Sequence, residues 1–314
     1  GGINLADEYI NKVERFGHWK DTSVLLRGAA VRSLTRMFLQ QWTLNAGSDT
    51  LDRPEEEYLT ARALPAQGYV QPYPDSPLDH FNVAENAYLH LIQRADHYVY
   101  ITTPYLILDN EFVTTLKTAA ESGVDVRIIT PSHPDKWYVH MVSRSYYQTL
   151  IQSGVKIYEY QPGFIHAKMC LCDDEAAMVG TANLDYRSLY LHYENAVLLY
   201  HTPVLAEIKK DIEETLEKSR LITIEELRSK LRGTSAPCLS CWPPSCKYRR
   251  HGCAVSRAAA PAGRDGPPPL RRAAWPHPLL QTAKKSPLAG ALAFAVYSVY
   301  SSAMPPLSSS GASS

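Results

Sequence analysis

From residue 68 to residue 218, short apolar runs alternate with longer stretches in which apolar residues recur every three or four positions. That rhythm predicts helices over 84–95, 110–122 and 136–153, interleaved with strands over 98–101, 124–129 and 155–160. Gly123 and Gly154 stand where the second and third of these helices would end, as C-terminal glycines do. Further on, the apolar run 165–172 reads as a buried strand between a Pro-Gly turn and an acidic turn, followed by a short strand at 176–179. A strand over 194–200 and a charged helix over 203–218 close the pattern. Upstream, SVLLRG at 23–28 predicts a strand and 29–43 an amphipathic helix, with a polar, proline-containing linker after it. Alternating strands and helices predict an α/β fold whose sheet is mixed or mostly parallel and flanked by helices.

Composition changes this picture only at the C-terminal end. The summed charge is zero, but residues 231–314 hold ten Lys or Arg and one acid, Asp265, so the first 230 residues carry the opposite imbalance. Twelve of the 22 prolines also lie beyond residue 231. Such a segment cannot bury a core. Cys238, Cys241, Cys246 and Cys253 lie in it at spacings that match no common zinc finger. We therefore expect a tail over 231–314 that is disordered or mistranslated. Cys170 and Cys172, two apart on one strand, are poorly placed to bridge one another and read as small buried side chains. The longest apolar run, 288–300, has thirteen residues, short of the roughly 18 that a membrane-spanning helix needs.

The chemistry is concentrated in the run GFIHAKMCLCDDEAAMVGTANLDYRSLYLHYEN at 163–195. It contains His166, Lys168, Asp173, Gly180, Thr181 and Asn183 in the pattern H-x-K-x4-D-x6-G-[S/T]-x-N. On a strand His166 and Lys168 point the same way about 7 Å apart, a span a phosphate can bridge. An imidazole can attack phosphorus or protonate a leaving alkoxide, and an ammonium can neutralise the non-bridging oxygens. Asp173 is expected to orient an imidazole or to pair with Lys168. Gly180 would let backbone approach a ligand, with the Thr181 hydroxyl and the Asn183 amide just beyond the strand end. These groups suffice for phosphodiester exchange, and no metal or other cofactor is implied.

This run resembles the second catalytic (HKD) motif of the phospholipase D superfamily. Neighbouring segments narrow the resemblance to the bacterial cardiolipin synthase branch: GGINLADEY at 1–9, WKDT at 19–22, GYVQPYPDSPLD at 68–79, ITTPYLILDN at 101–110, GVDVRIITP at 123–131 and GVKIYEYQPGFIHAK at 154–168. The resemblance covers residues 1 to about 230. It implies a phospholipase D-like fold with one complete C-terminal half at 68–230, a linker at 46–67, and a remnant of the N-terminal half at 1–45. GGIN would be the end of a first HKD motif whose His, Lys and Asp precede Gly1, so the chain is expected to be an incomplete copy that needs the missing half to complete its site.

By the same resemblance, Asp21 and Glu194 are equivalent acidic residues that orient histidines, and Asn4 matches Asn183. Thr102, Thr103 and Tyr105 could line the pocket, although a strand-to-helix turn capped by Asp109 or Asn110 explains most of that run. Tyr158, Tyr160 and Phe164 read as core packing or as lipid contacts. The implied reaction is phosphatidyl transfer between two phosphatidylglycerol molecules, giving cardiolipin and glycerol through a phosphohistidine. His166 would act as acid and base, while Lys168 and Asn183 hold the phosphate. The expected partners are phosphatidylglycerol and the bacterial membrane surface, with the catalytic domain peripheral to it. The folded part shows no basic and aromatic groove, so nucleic acid is not expected. A phosphodiester hydrolase and a catalytically inert half-site remain the alternatives.

Overall fold

The periodicity from Gly68 onward becomes helices and strands whose ends lie within a few residues of those expected. The computed structural model describes residues 1–47 and 50–232, so the expectations for the tail fall outside the described residues. A 3-10 turn at Asp7–Ile10 leads to β1 (His18–Lys20), α1 (Val31–Ala46) and the single turn α2 (Glu55–Tyr58). Then follow β2 (Tyr69–Asp75), α3 (Val83–Arg94), β3 (Tyr98–Thr102), β4 (Leu106–Ile107), α4 (Asn110–Glu121), β5 (Asp125–Pro131), α5 (Trp137–Gln152) and β6 (Lys156–Tyr160). The motif region supplies β7 (Gly163–Ile165), β8 (Met169–Cys172), β9 (Ala176–Gly180), β10 (Leu184–Asp185) and α6 (Tyr186–Tyr190). Last come β11 (Glu194–Tyr200), α7 (Val204–Glu217), β12 (Ser219–Leu221) and α8 (Ile224–Arg232).

Eight strands form one sheet in the order β12-β6-β5-β3-β8-β9-β11-β2. Only β3–β5 and β5–β6 are parallel. The sheet is thus mixed, and the mostly parallel alternative fails. Helical crossovers produce the two parallel pairs, whereas β8 and β9 are joined by a tight turn that permits only antiparallel pairing, and β11 and β2 continue it. The periodicity predicts no strand at 69–75, a segment that holds Pro72 and Pro74. β2 tolerates both prolines because it is the edge strand, where missing N–H donors cost no ladder bond.

Side chains alternate between two cores. Cys170 and Cys172 join Tyr88, Leu91, Phe112 and Leu116 beneath α3 and α4, whereas Met169 and Leu171 join Ile208 and Ile212 beneath α7. Both cysteines are buried free thiols. Burying each such aliphatic side chain contributes about 1.5–3 kcal/mol. Gly123 and Gly154 do end α4 and α5, at φ +98° and +99°. The Val124 and Val155 amides return to Ala119 and Leu150 carbonyls in the expected capping geometry.

The expected strand at 23–28 is absent. β1 pairs with β7 only as far as Lys20 opposite Ile165, and the partner chain then turns aside, so residues 21–27 have no ladder to join. Among the described residues no helix is long and apolar enough to cross a membrane.

Candidate active site

The strand expected over 165–172 is broken at its centre, and the break builds the site. β7 ends at Ile165 and β8 begins at Met169, leaving His166, Ala167 and Lys168 outside both. Their backbone groups find other partners: the His166 and Ala167 amides donate to Lys20 O at 2.7 and 3.2 Å, and Thr102 Oγ1 donates to Ala167 O while accepting from Met169 N. The parallel register of β1 and β7, with Lys20 opposite Ile165, carries Asp21 alongside His166. Gly163 permits this approach, because a Cβ there would overlap the His18 backbone. A second tether comes from α7, where Asp211 accepts two hydrogen bonds from Lys20 Nζ at 2.7 and 2.8 Å.

His166 Nδ1 lies 2.8 Å from Asp21 Oδ2, and Lys168 Nζ lies 2.9 Å from Nδ1 and 2.8 Å from Nε2. Lys168 Nζ also donates to His166 O at 2.6 Å. With Asp21 as acceptor, the ring proton belongs on Nδ1 and the lone pair on Nε2. Burial lowers the His166 pKa, and the hydrogen bond to Asp21 opposes this without reversing it. The ring is therefore neutral at pH 7 and the Asp21 contact is a hydrogen bond to a neutral imidazole. Burial pushes the Asp21 carboxyl up, but the His166 hydrogen bond and the Lys168 charge outweigh it and leave a lowered value. Lys168, only 3% exposed, is lowered from 10.5 to about 8 by burial, with Asp21 pulling the other way. Trp19, Tyr9 and Phe164 wall the imidazole, with ring centroids 5.2, 5.2 and 6.1 Å away.

Other motif residues lie elsewhere than expected. Asp173 neither orients His166 nor pairs with Lys168. It sits at the far end of β8, where its carboxylate accepts the amides of Asp96, His97 and Tyr98 at 2.6, 3.0 and 2.6 Å. It lies seven positions beyond His166, at the opposite end of β8 from the break. Gly180 admits backbone, but that of β11: a Cβ would overlap Ala196 Cβ and come 2.7 Å from Asn195 O. Glu194 bonds the Thr181 hydroxyl and lies 3.5 Å from His192, so Asp21 alone of the two acids contacts His166. Asn183 Nδ2 donates to Ser188 Oγ at 3.0 Å, and its buried Oδ1 has no partner among the described residues. Asn4 donates to the Tyr9 hydroxyl at 2.7 Å.

Thr103 is fully buried and staples two loops, donating to Tyr105 O and accepting from Leu184 N, so it does not line a pocket. Asp109 caps α4 by accepting from Phe112 N. Tyr105 donates to Asp135 Oδ2 at 2.6 Å, and its ring lies 6.5 Å from that of Phe164. Tyr160 and Phe164 are core residues at 2% and 1% exposure and do not meet lipid. Sequence reasoning missed Asp135, Asp211 and the aromatic wall. Of these, Tyr9, Trp19 and Phe164 lie in runs that carry the resemblance, whereas Asp135 and Asp211 carried no signal.

A strand break thus presses a histidine and a lysine together against an aspartate from a neighbouring segment, the groups that phosphodiester chemistry needs. Comparison with known proteins carries this further. Residues 88–216 match the family described as cardiolipin synthase, PLD-like domain. An uncharacterized protein from Streptococcus mutans is 52% identical over 232 residues, covering 73% of this chain and 50% of that protein. Cardiolipin synthase 2 from Bacillus anthracis is 40% identical over 232 residues, covering 73% and 45%. Among solved structures, phosphatidylserine synthase from Haemophilus influenzae superposes with a TM-score of 0.47 at 16% identity, covering 65% of this chain and 59% of that one. Residues 88–216 thus form a PLD-like domain of the cardiolipin synthase family. The chain spans about half the length of the curated relatives it matches.

Proposed function

We propose that this chain carries one half-site of a phosphatidyltransferase that joins two phosphatidylglycerol molecules into cardiolipin and releases glycerol. The observation that carries this reading is the His166–Asp21–Lys168 cluster, a neutral imidazole with its Nε2 lone pair free of Asp21 and a buried cation beside it. A second half-site of the same kind supplies the histidine that attacks phosphorus. As the phosphorus–oxygen bond to glycerol breaks, the proton needed by the leaving alkoxide comes from His166 Nε2. A bound phosphodiester anion favours the protonated ring and prepares it for that step. In the return step His166 Nε2 takes the proton of the incoming hydroxyl of the second phosphatidylglycerol, whose oxygen displaces the phosphohistidine.

Lys168 neutralises the non-bridging oxygens, and its depressed pKa still leaves it charged at pH 7. Asn183 assists if its amide turns so that Oδ1 accepts from Ser188 and Nδ2 faces the phosphate, which also relieves its orphaned oxygen. Asp21 holds the tautomer. Asp173 shapes the hairpin and takes no part in the chemistry. Trp137 and Tyr138, 70% and 55% exposed at the start of α5 beside Lys136, are the groups best suited to a membrane surface.

The test is product analysis with phosphatidylglycerol vesicles and the protein containing both half-sites. Cardiolipin and glycerol in equal amounts, lost in His166→Ala, support the reading. Phosphatidic acid without cardiolipin would overturn it in favour of hydrolysis.

A further inference from the structure

Asp135 stands two residues before α5, next to the N-cap residue Lys136. No side chain caps α5. Asp135 turns instead toward Tyr105, whose hydroxyl donates to Oδ2 at 2.6 Å. Lys136 Nζ lies 3.3 Å from the same oxygen and 3.3 Å from the Tyr105 hydroxyl, with the cation 5.3 Å from the ring centroid. Among the described residues Asp135 Oδ1 accepts no hydrogen bond. The Asp135 side chain is 17% exposed, so this free acceptor is partly sheltered yet reachable.

The cluster neighbours His166 through the ring of Phe164. Phe164 is in ring contact with both, 6.5 Å from Tyr105 and 6.1 Å from His166. The negative charge of Asp135 acts on both His166 and Tyr9, raising their pKa values, although desolvation is the largest influence on each. A carboxylate here does not attract phosphate. Its free oxygen needs a donor, and Lys136, which already donates to the Tyr105 oxygen, has further N–H donors. Neighbouring hydroxyls of a polyol match this set, since each both donates and accepts.

We infer that Tyr105, Asp135 and Lys136 form a subsite for the vicinal hydroxyls of a glycerol headgroup, one phosphodiester away from His166. This rests on the phosphodiester reading above and adds the origin of its preference for glycerol over simple alcohols. A ligand hydroxyl donates to Asp135 Oδ1, and Lys136 donates to its neighbour. Tyr105 keeps Asp135 in place and limits its rotation toward the α5 N-terminus.

The experiment is titration calorimetry of the full chain with two soluble diesters, glycerophosphoglycerol and glycerophosphoethanol, which differ only in the headgroup hydroxyls. One charge-assisted hydrogen bond corresponds to about tenfold tighter binding of the glycerol diester. Asp135→Ala is expected to bring that ratio close to one while leaving the ethanol diester's Kd unchanged. Tyr105→Phe, which keeps the ring against Phe164, is expected to lower it at least about threefold, and unchanged thermal unfolding establishes that each variant is folded. Equal binding of both diesters by the wild type, or an unchanged ratio in Asp135→Ala, overturns the subsite and leaves the phosphodiester reading standing. Binding of neither diester by the wild type overturns that reading and the subsite with it.

Discussion

Lys168 is kept charged where the fold would rather have it neutral, and that conflict can be measured without substrate. Its pKa falls from 10.5 to about 8 because burial outweighs the attraction of Asp21. At pH 7 it is protonated both folded and unfolded, so the shift corresponds to about 3 kcal/mol of destabilisation relative to a lysine free to lose its proton. Because the folded pKa of this base is depressed, the unfolded chain binds more protons between about pH 8 and 10.5. Stability from this group therefore rises with pH across that window. At about pH 9.5 only about 1 kcal/mol of the penalty remains. Lys168→Met removes the charge and keeps most of the volume, but loses the hydrogen bond to His166 O, worth about 1 kcal/mol. Urea unfolding should find Lys168→Met about 1–2 kcal/mol more stable than the wild type at pH 7, and that advantage should shrink by about 2 kcal/mol by pH 9.5. Titrating groups that do not feel the Lys168 charge cancel in the difference, and Asp21, which does, titrates far below this pH window. A difference that stays constant between the two pH values, or widens, refutes the reasoning.

Other consequences follow from the same geometry. Asp173→Asn, which tolerates the φ of +50° there, weakens the clasp on the Asp96, His97 and Tyr98 amides. It should cost about 1–2 kcal/mol in urea unfolding while kcat of the enzyme with both half-sites changes less than about threefold. Gly163→Ala pushes β1 away from β7 and carries Asp21 off His166. We expect kcat to fall on the order of 100-fold with KM little changed, and a KM effect alone would count against the positioning role. The pH profile of the return step, in which His166 takes the proton of the acceptor hydroxyl, should rise through a His166 pKa below 6.5, since that step requires the base form. It should fall through about 8 as Lys168 loses its charge. A plateau extending past pH 9 would remove Lys168 from the phosphate site.

Periodicity alone located most helices and central strands to within a few residues, because each spans several turns or a fully apolar run. What it could not give was the direction of the strands. The sequence shows that β8 and β9 are joined by three residues, yet the balance of parallel and antiparallel pairs depends on where β11 and β2 dock, and that is decided by distant partners. β2 carries two prolines, which argue against a strand in general but not against an edge strand. The site was legible in part. His166 and Lys168 announce themselves by residue type and spacing. Asp21 enters by resemblance, while its contact with His166 depends on a three-residue pairing of β1 with β7 that no local pattern specifies. Asp135 carried no signal in the sequence, and only the position of Tyr105 reveals its use.

The spacing H-x-K-x4-D suggests a single catalytic constellation, but in the fold it belongs to two ends of one strand. At one end, the break at 166–168 converges His166 and Lys168. At the other, Asp173 fastens the β8–β9 turn to the start of β3, which pairs with β8 along its whole length from Val99–Cys172 to Thr102–Met169. Because β3 continues into Thr102, whose hydroxyl bridges the Ala167 carbonyl and the Met169 amide, the Asp173 clasp fixes the register that places that hydroxyl at the break. A one-residue slip of β8 against β3 would turn Thr102 to the opposite face and leave the Ala167 carbonyl without its partner. A fixed distance between the histidine and the aspartate is therefore what a register device requires, even though the aspartate never approaches the reacting groups.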